Sequence, residues 1–261
     1  MRLKKQVCLV TGGGSGIGKA AAVIMGAEGA RVAVLSRTED EVKQTAEEIR
    51  AAGGEAIHIC ADISKADDME RAVREVISAF GQLDVVFANA GINGVWGPIE
   101  ELEPEEWDKT IAINLRGTFL TIKYAVPHLK KRGGSIIVTA SINGTRVFSN
   151  SGATAYASTK AAQVAMVKML ALELAEHKIR VNVVCPGAIE TEIQDNTDDS
   201  GVEGLGVPVE FPEGWHPLRG DAGKADQIAR VVVFLASHDA DHITGTEMYI
   251  DGGESLLGIN G

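Results

Sequence analysis

Cationic side chains are in short supply in this 261-residue chain: 25 Lys and Arg stand against 36 Asp and Glu, a formal net charge of -11. Such a surface repels phosphate backbones and anionic headgroups, so neither nucleic acid nor a membrane is an expected partner. Aromatic residues are scarce as well, 5% against 45% hydrophobic overall, which leaves Ala, Val, Ile and Leu to build the core. Prolines are few, and no Ser-rich or repetitive tract divides the sequence, so one domain over 1–261 is expected. No apolar run reaches bilayer length. The stretch after Met1-Arg2-Leu3-Lys4-Lys5 is too short for a secretory leader. The three cysteines, Cys8, Cys60 and Cys185, are odd in number and widely spaced, which excludes a disulfide framework; they read as buried small hydrophobes in a reducing cytoplasm. None of His58, His128, His177, His216, His238 and His242 has ligand spacing, so no metal is expected.

What the chain does have is glycine, 30 residues of it, and a regular alternation of strand-like and helix-like runs. Val7-Cys8-Leu9-Val10 is strand-length and ends in Thr11-Gly12-Gly13-Gly14-Ser15-Gly16-Ile17-Gly18, after which Lys19 to Met25 reads as a helix. Glycines let backbone amides approach a pyrophosphate closely, and a helix N-terminus supplies about half a positive charge. The second strand, Arg31 to Ser36, is where a dinucleotide site selects its ribose. A carboxylate there binds a 2′-hydroxyl, whereas an arginine accommodates a 2′-phosphate. Ser36 and Arg37 occupy that place, which favours NADP(H) over NAD(H). Glu41 is read as the partner of Thr38 in a capping box, and Ser64 with Asp67 resembles a second cap.

Glu55 to Cys60, Leu83 to Ala88, Gly134 to Ser141 and Arg180 to Cys185 read as further strands, with a final strand and turn over Ile243 to Gly253. Helices are expected over Ser64–Phe80, from Glu103-Pro104 through Asn114 to about Lys131, along Ala161–Glu176 and over Asp226–Ala236. The alternation predicts an α/β, Rossmann-like, doubly wound parallel sheet of about seven strands with helices on both faces. Ligands of such sheets sit at the carboxyl ends of strands, where Gly12 to Gly18, Ser36, Asp62, Asn89, Ser141 and Pro186-Gly187 all fall. Tyr156 and Lys160, four apart on a helix, would share a face. A phenol titrates near ~10, and an adjacent cation favours its anion, so the pair is a candidate general acid/base.

With these residues in hand, the sequence resembles the short-chain dehydrogenase/reductase family over nearly its whole length. Thr11, Gly12, Gly16, Ile17 and Gly18 match the family's T-G-x-x-x-G-I-G, Asn89-Ala90-Gly91 its N-A-G, Tyr156 and Lys160 its Y-x-x-x-K, and Pro186, Gly187 and Thr191 its P-G-x-x-x-T. The resemblance adds Asp62 after the third strand, Asn114 in the fourth helix and Ser141 closing the fifth strand. It implies hydride transfer between a nicotinamide and a carbonyl or secondary alcohol. Asn114, Ser141, Tyr156 and Lys160 are implied as catalytic: Ser141 binds the carbonyl, Tyr156 gives the proton, Lys160 lowers the Tyr156 pKa, and Asn114 holds a water that resupplies the proton. Gly12, Ser15, Gly16, Ile17, Gly18, Ser36, Arg37, Asp62, Ile63, Asn89, Ala90, Gly91, Pro186, Gly187, Ile189 and Thr191 are implied to hold the cofactor with Tyr156 and Lys160. That cofactor is NADP, with NAD as the alternative. A 3-oxoacyl thioester reductase and a catalytically silent nucleotide sensor are the competing readings. Relatives form homotetramers, so one is expected here.

Three features stand apart from the family pattern, the first being Ser15, which stands where many NADP-using relatives carry a basic residue. The loop Asn143 to Thr154 is longer than usual, and Trp96 is large for its place, either bordering the substrate or anchoring a loop. The segment 188–222 is acidic and non-periodic, which marks it as a cover over the substrate. Its charge disfavours phosphorylated or carrier-linked substrates, and Phe211 and Trp215 would offer apolar contact.

Overall fold

The computed structural model describes residues 1–206, 216–218 and 220–257. Its frame is a seven-stranded sheet in which every neighbouring pair is parallel. In chain order the elements are β1 (Val7–Thr11), α1 (Gly16–Ala27), β2 (Arg31–Ser36), α2 (Glu39–Ala51), β3 (Glu55–Cys60), α3 (Ala66–Phe80), β4 (Val85–Ala88), the short β5 (Gly94–Val95), α4 (Pro104–Thr110), α5 (Gly117–Leu129), β6 (Gly134–Thr139), α6 (Thr154–Glu173), β7 (Ile179–Pro186), the two-residue β8 (Ile189–Glu190), β9 (Thr197–Asp198) and β10 (Gly223–Lys224), α7 (Ala225–Ala236) and β11 (Glu247–Ile250). Sheet order is β11-β7-β6-β4-β1-β2-β3. The chain therefore reverses direction between β1 and β4, and the carboxyl ends of those strands open the crevice where such sheets bind ligands.

Strand alternation sends successive side chains to opposite faces, and both faces are covered. Leu9, Leu35, Val138 and Val183 pack beneath α3, α5 and α6 with Met69, Phe80, Leu129 and Val167. Cys8, Val10, Val34 and Ile137 pack on the other side with Met25, Ile49, Ile228 and Val232 from α1, α2 and α7. Interior strands carry continuous apolar sequence for this reason.

Several local expectations are corrected. Thr38 forms no side-chain cap on α2; its N–H donates to the Ser36 hydroxyl oxygen, and Glu41 turns toward Gly14 instead. Lys65, not Ser64, precedes α3, because the Ser64 hydroxyl donates to Asp62 Oδ1. Cys60 is exposed, since β3 is an edge strand whose outer face alternates toward solvent; its Sγ lies 3.3 Å from the Arg37 carbonyl oxygen. The single helix expected through Asn114 is two helices joined by a wide π turn over Ile111–Arg116. Glu210, Phe211, Glu213, Trp215 and Arg219 lie outside the described residues. Among the described residues no helix is long and apolar enough to cross a membrane.

Candidate active site

The glycine turn is shaped by contacts that admit no side chain. A Cβ on Gly18 would lie 1.9 Å from the Gly12 carbonyl oxygen, so α1 rests directly on the loop. Gly12 and Gly16 have φ of 64° and 49°, a left-handed region open to glycine. Ser15 precedes α1 without a side-chain cap, and the helix has no acidic residue in its first turn. With no side chain capping it, this helix start, where Gly12, Ser15, Gly16 and Ile17 line the crevice, has the polarity of a pyrophosphate cradle.

The neighbouring strand end is fixed by hydrogen bonds. Thr11 Oγ1 receives the N–H groups of Asn89 and Ala90 at 3.0 and 3.2 Å, and Asn89 Oδ1 accepts from Thr139 Oγ1 at 3.0 Å. Asn89 thus ties β1, β4 and β6 together where they end. At the β2 end, Ser36, Arg37, Thr38 and Glu41 line the crevice. A Cβ on Gly14 would meet Glu41 Oε2 at 2.6 Å and Ser36 Oγ at 3.3 Å, so the Glu41 carboxylate stands where the sequence suggested only a helix cap.

Tyr156 falls in the first turn of α6, with Lys160 one turn on. Both are buried, as is Ser141 at the end of β6. The Lys160 ammonium stands 5.4 Å from the centre of the Tyr156 ring and donates to the Thr139 carbonyl at 2.9 Å. Burial holds the Tyr156 phenol above its ordinary pKa, and its hydrogen bond with Ser141 only partly offsets that. The downward shift expected from Lys160 is therefore absent from the protein alone. Burial also lowers Lys160 itself, to about 8.

Asn114 is fully buried one layer behind. Its carboxamide bonds both the N–H and the C=O of Ile92 at 2.8 Å, and its own carbonyl accepts from Thr118 and Gln163. The π turn sets it at that depth. These bonds hold the chain beside Gly91.

Of the residues implied by sequence, all but Gly18 and Asn114 line one crevice of about 1110 Å³. Trp96 lines it too, its ring 6.3 Å from that of Tyr156 and tilted by 41°. The lining residues that the sequence gave no site role include Glu41, Asn150, Arg146 and Glu254. Glu254 lies 66 residues beyond Ala188, whose N–H it accepts at 3.0 Å, and no local spacing announces that pairing.

Comparison with known proteins gives the same outline. A family model described as "Enoyl-(Acyl carrier protein) reductase" matches residues 12–255. An uncharacterized oxidoreductase of Thermotoga maritima is 38% identical, covering 98% of this chain and 100% of its own. The structure of a 3-ketoacyl-ACP reductase from Sinorhizobium meliloti superposes with a TM-score of 0.92 at 53% identity, over 97% of this chain and 100% of that one. A 3-ketoacyl-(acyl-carrier-protein) reductase from Brucella melitensis, solved with NADH, gives 0.86 at 33% identity over 97% and 99%.

Proposed function

As the chain belongs to the short-chain dehydrogenase/reductase family of NAD(P)-dependent oxidoreductases, we propose that it interconverts a carbonyl and a secondary alcohol with Tyr156 as the general acid/base. The observation that carries this is the burial of Tyr156, Lys160 and Ser141 together at one wall of the crevice. When bound, the nicotinamide supplies or takes the hydride. Ser141 donates a hydrogen bond to the substrate oxygen, which orients it and stabilises the charge that grows there. Tyr156 gives its proton to that oxygen in reduction and recovers it from solvent; oxidation reverses both. Lys160, held by the Thr139 carbonyl, keeps a positive charge near the phenol below pH of about 8. Asn114 positions the Gly91–Ile92 segment.

The α1 N-terminus with Gly12, Ser15, Gly16 and Ile17 would hold the pyrophosphate, and Asn89 to Gly91 with Pro186, Gly187, Ile189 and Thr191 the nicotinamide half. Asp62 and Ile63 would border the adenine. NADP(H) is the favoured cofactor, because Arg37 is the cation at the β2 end; Glu41 beside it tempers the preference. Ile189, Thr191, Glu192, Ile193, Asp195 and Asn196, from the described start of the acidic segment, line the crevice and would border the substrate, and the exposed Phe119, Met169 and Leu172 on α5 and α6 support a homotetramer. Three unpaired cysteines fit a reducing cytoplasm.

Replacing Tyr156 with Phe tests the assignment. Carbonyl-dependent oxidation of NADPH should fall by about 10² or more, with cofactor affinity unchanged; full activity would overturn it. The likeness to the Sinorhizobium meliloti protein favours a second reading, reduction of a 3-oxoacyl thioester.

A further inference from the structure

Beyond Tyr156 the crevice lining carries two kinds of surface. Trp96 spends its indole N–H on the Asn93 carbonyl at 3.2 Å, so toward the cavity it offers only ring surface. The loop after Ser141, joined to the Trp96 stretch by the Gly97 N–H donating to the Gly152 carbonyl, brings Asn143, Ser149, Asn150 and Ser151 to the same lining, with Val147 and Phe148 among them. Asn150 Nδ2 donates to Asn143 Oδ1 at 3.0 Å. That pairing uses one donor and one acceptor of the two carboxamides and leaves the rest of each for a ligand.

A flat apolar ring beside amides and hydroxyls suits a ligand that has both kinds of surface. Sugars and cyclic polyols have them: C–H groups on a ring face, hydroxyls around the edge. A linear acyl chain would make no use of the carboxamides, whereas ring hydroxyls would bond them. The rim adds a charge argument. Glu192 and Asp195 line the mouth, and both repel the phosphates of a carrier-linked arm. Arg146, the cation on this side, is stacked 3.4 Å from the centre of the Tyr249 ring and donates to Ser255.

We infer that the substrate is a compact polyhydroxylated ring, a cyclic polyol or sugar, lying with its C–H face on Trp96 and its hydroxyls toward Asn143 and Asn150. The inference rests on the oxidoreductase reading above. In oxidation the ring carbon gives its hydride to the oxidised nicotinamide and its hydroxyl proton to the Tyr156 oxygen, leaving the ring ketone.

The test is a kinetic panel on the full chain with both cofactors: cyclohexane polyols, hexopyranoses and cyclohexanol in the oxidative direction, acetoacetyl-CoA in the reductive one. At least one polyol or sugar should exceed cyclohexanol in kcat/KM by about tenfold or more. Asn150→Ala, at an exposed position, should lower the polyol value several-fold more than that of cyclohexanol. Trp96→Ala should raise the polyol KM about tenfold, with Trp96→Phe restoring most of it. A preference for cyclohexanol or for the thioester overturns the inference and leaves the oxidoreductase reading standing. No turnover of any member with either cofactor overturns both.

Discussion

The Lys160 ammonium donates to the Thr139 carbonyl across 2.9 Å, joining the first turns of α6 to the end of β6 deep in the crevice wall. The bond keeps the cation in place, while burial makes it a weaker base than a lysine in water, with its pKa brought down to about 8. The unfolded chain keeps this proton up to the ordinary value of 10.5, so between about 8 and 10.5 it binds more protons than the folded one. Stability must therefore rise with pH across that window. In urea titrations of the cofactor-free protein, wild type should gain on Lys160→Met by on the order of 3 kcal/mol between the two limits. Parallel curves would show that Lys160 titrates normally.

Arg37 and Glu41 both line the crevice at the β2 end, with opposite charge. Arg37→Ala should weaken NADP(H) binding about tenfold and leave NAD(H) within about twofold, since only the former has a 2′-phosphate. Glu41→Gln should act oppositely, tightening NADP(H) several-fold. Fluorescence titration of both cofactors against each variant measures this. Equal affinities throughout would remove both residues from the selection.

The apolar side chains that α5 and α6 leave in solvent should lie between copies of the chain. Light scattering should return about four times the 27.5 kDa chain mass, and Leu172→Glu, at a position 82% exposed in the single chain, should shift it toward smaller species without loss of helix content. A monomer in wild type would refute the assembly.

Much of this was legible in the sequence because it is local. The glycine turn, the strand-end residues Asn89 and Pro186, and the Tyr156–Lys160 spacing all follow from runs of a few residues, and the alternation of runs placed them at one edge of the sheet. What depends on burial was less legible. Helical spacing placed Lys160 beside Tyr156, but the energetic cost of enclosing both groups reverses the expected direction of the phenol's shift. Cys60 carries the same apolar neighbours as Cys8, and only the edge position of β3 exposes it. Glu41 satisfied a local capping pattern, yet the closeness of Gly14, brought in by β1 and β2 pairing, gave its carboxylate another place. Asn114 could be picked out by its motif, but its tie to Ile92 spans 22 residues and required a break in helical repeat over Ile111–Arg116, a run that itself holds no proline or glycine.

The cradle at the start of α1 has a consequence for how fast a nucleotide arrives. Between Gly12 and Gly18 there is no cationic side chain, so capture relies on backbone dipoles that act only at close range, while the chain as a whole carries -11. A polyanionic dinucleotide therefore diffuses in against the far field. Ions that shorten the Debye length toward about 10 Å, its value at 0.1 M ionic strength, relieve that repulsion. Stopped-flow mixing should find the association rate climbing as salt is added from low ionic strength, the reverse of a site that draws phosphates in with lysines.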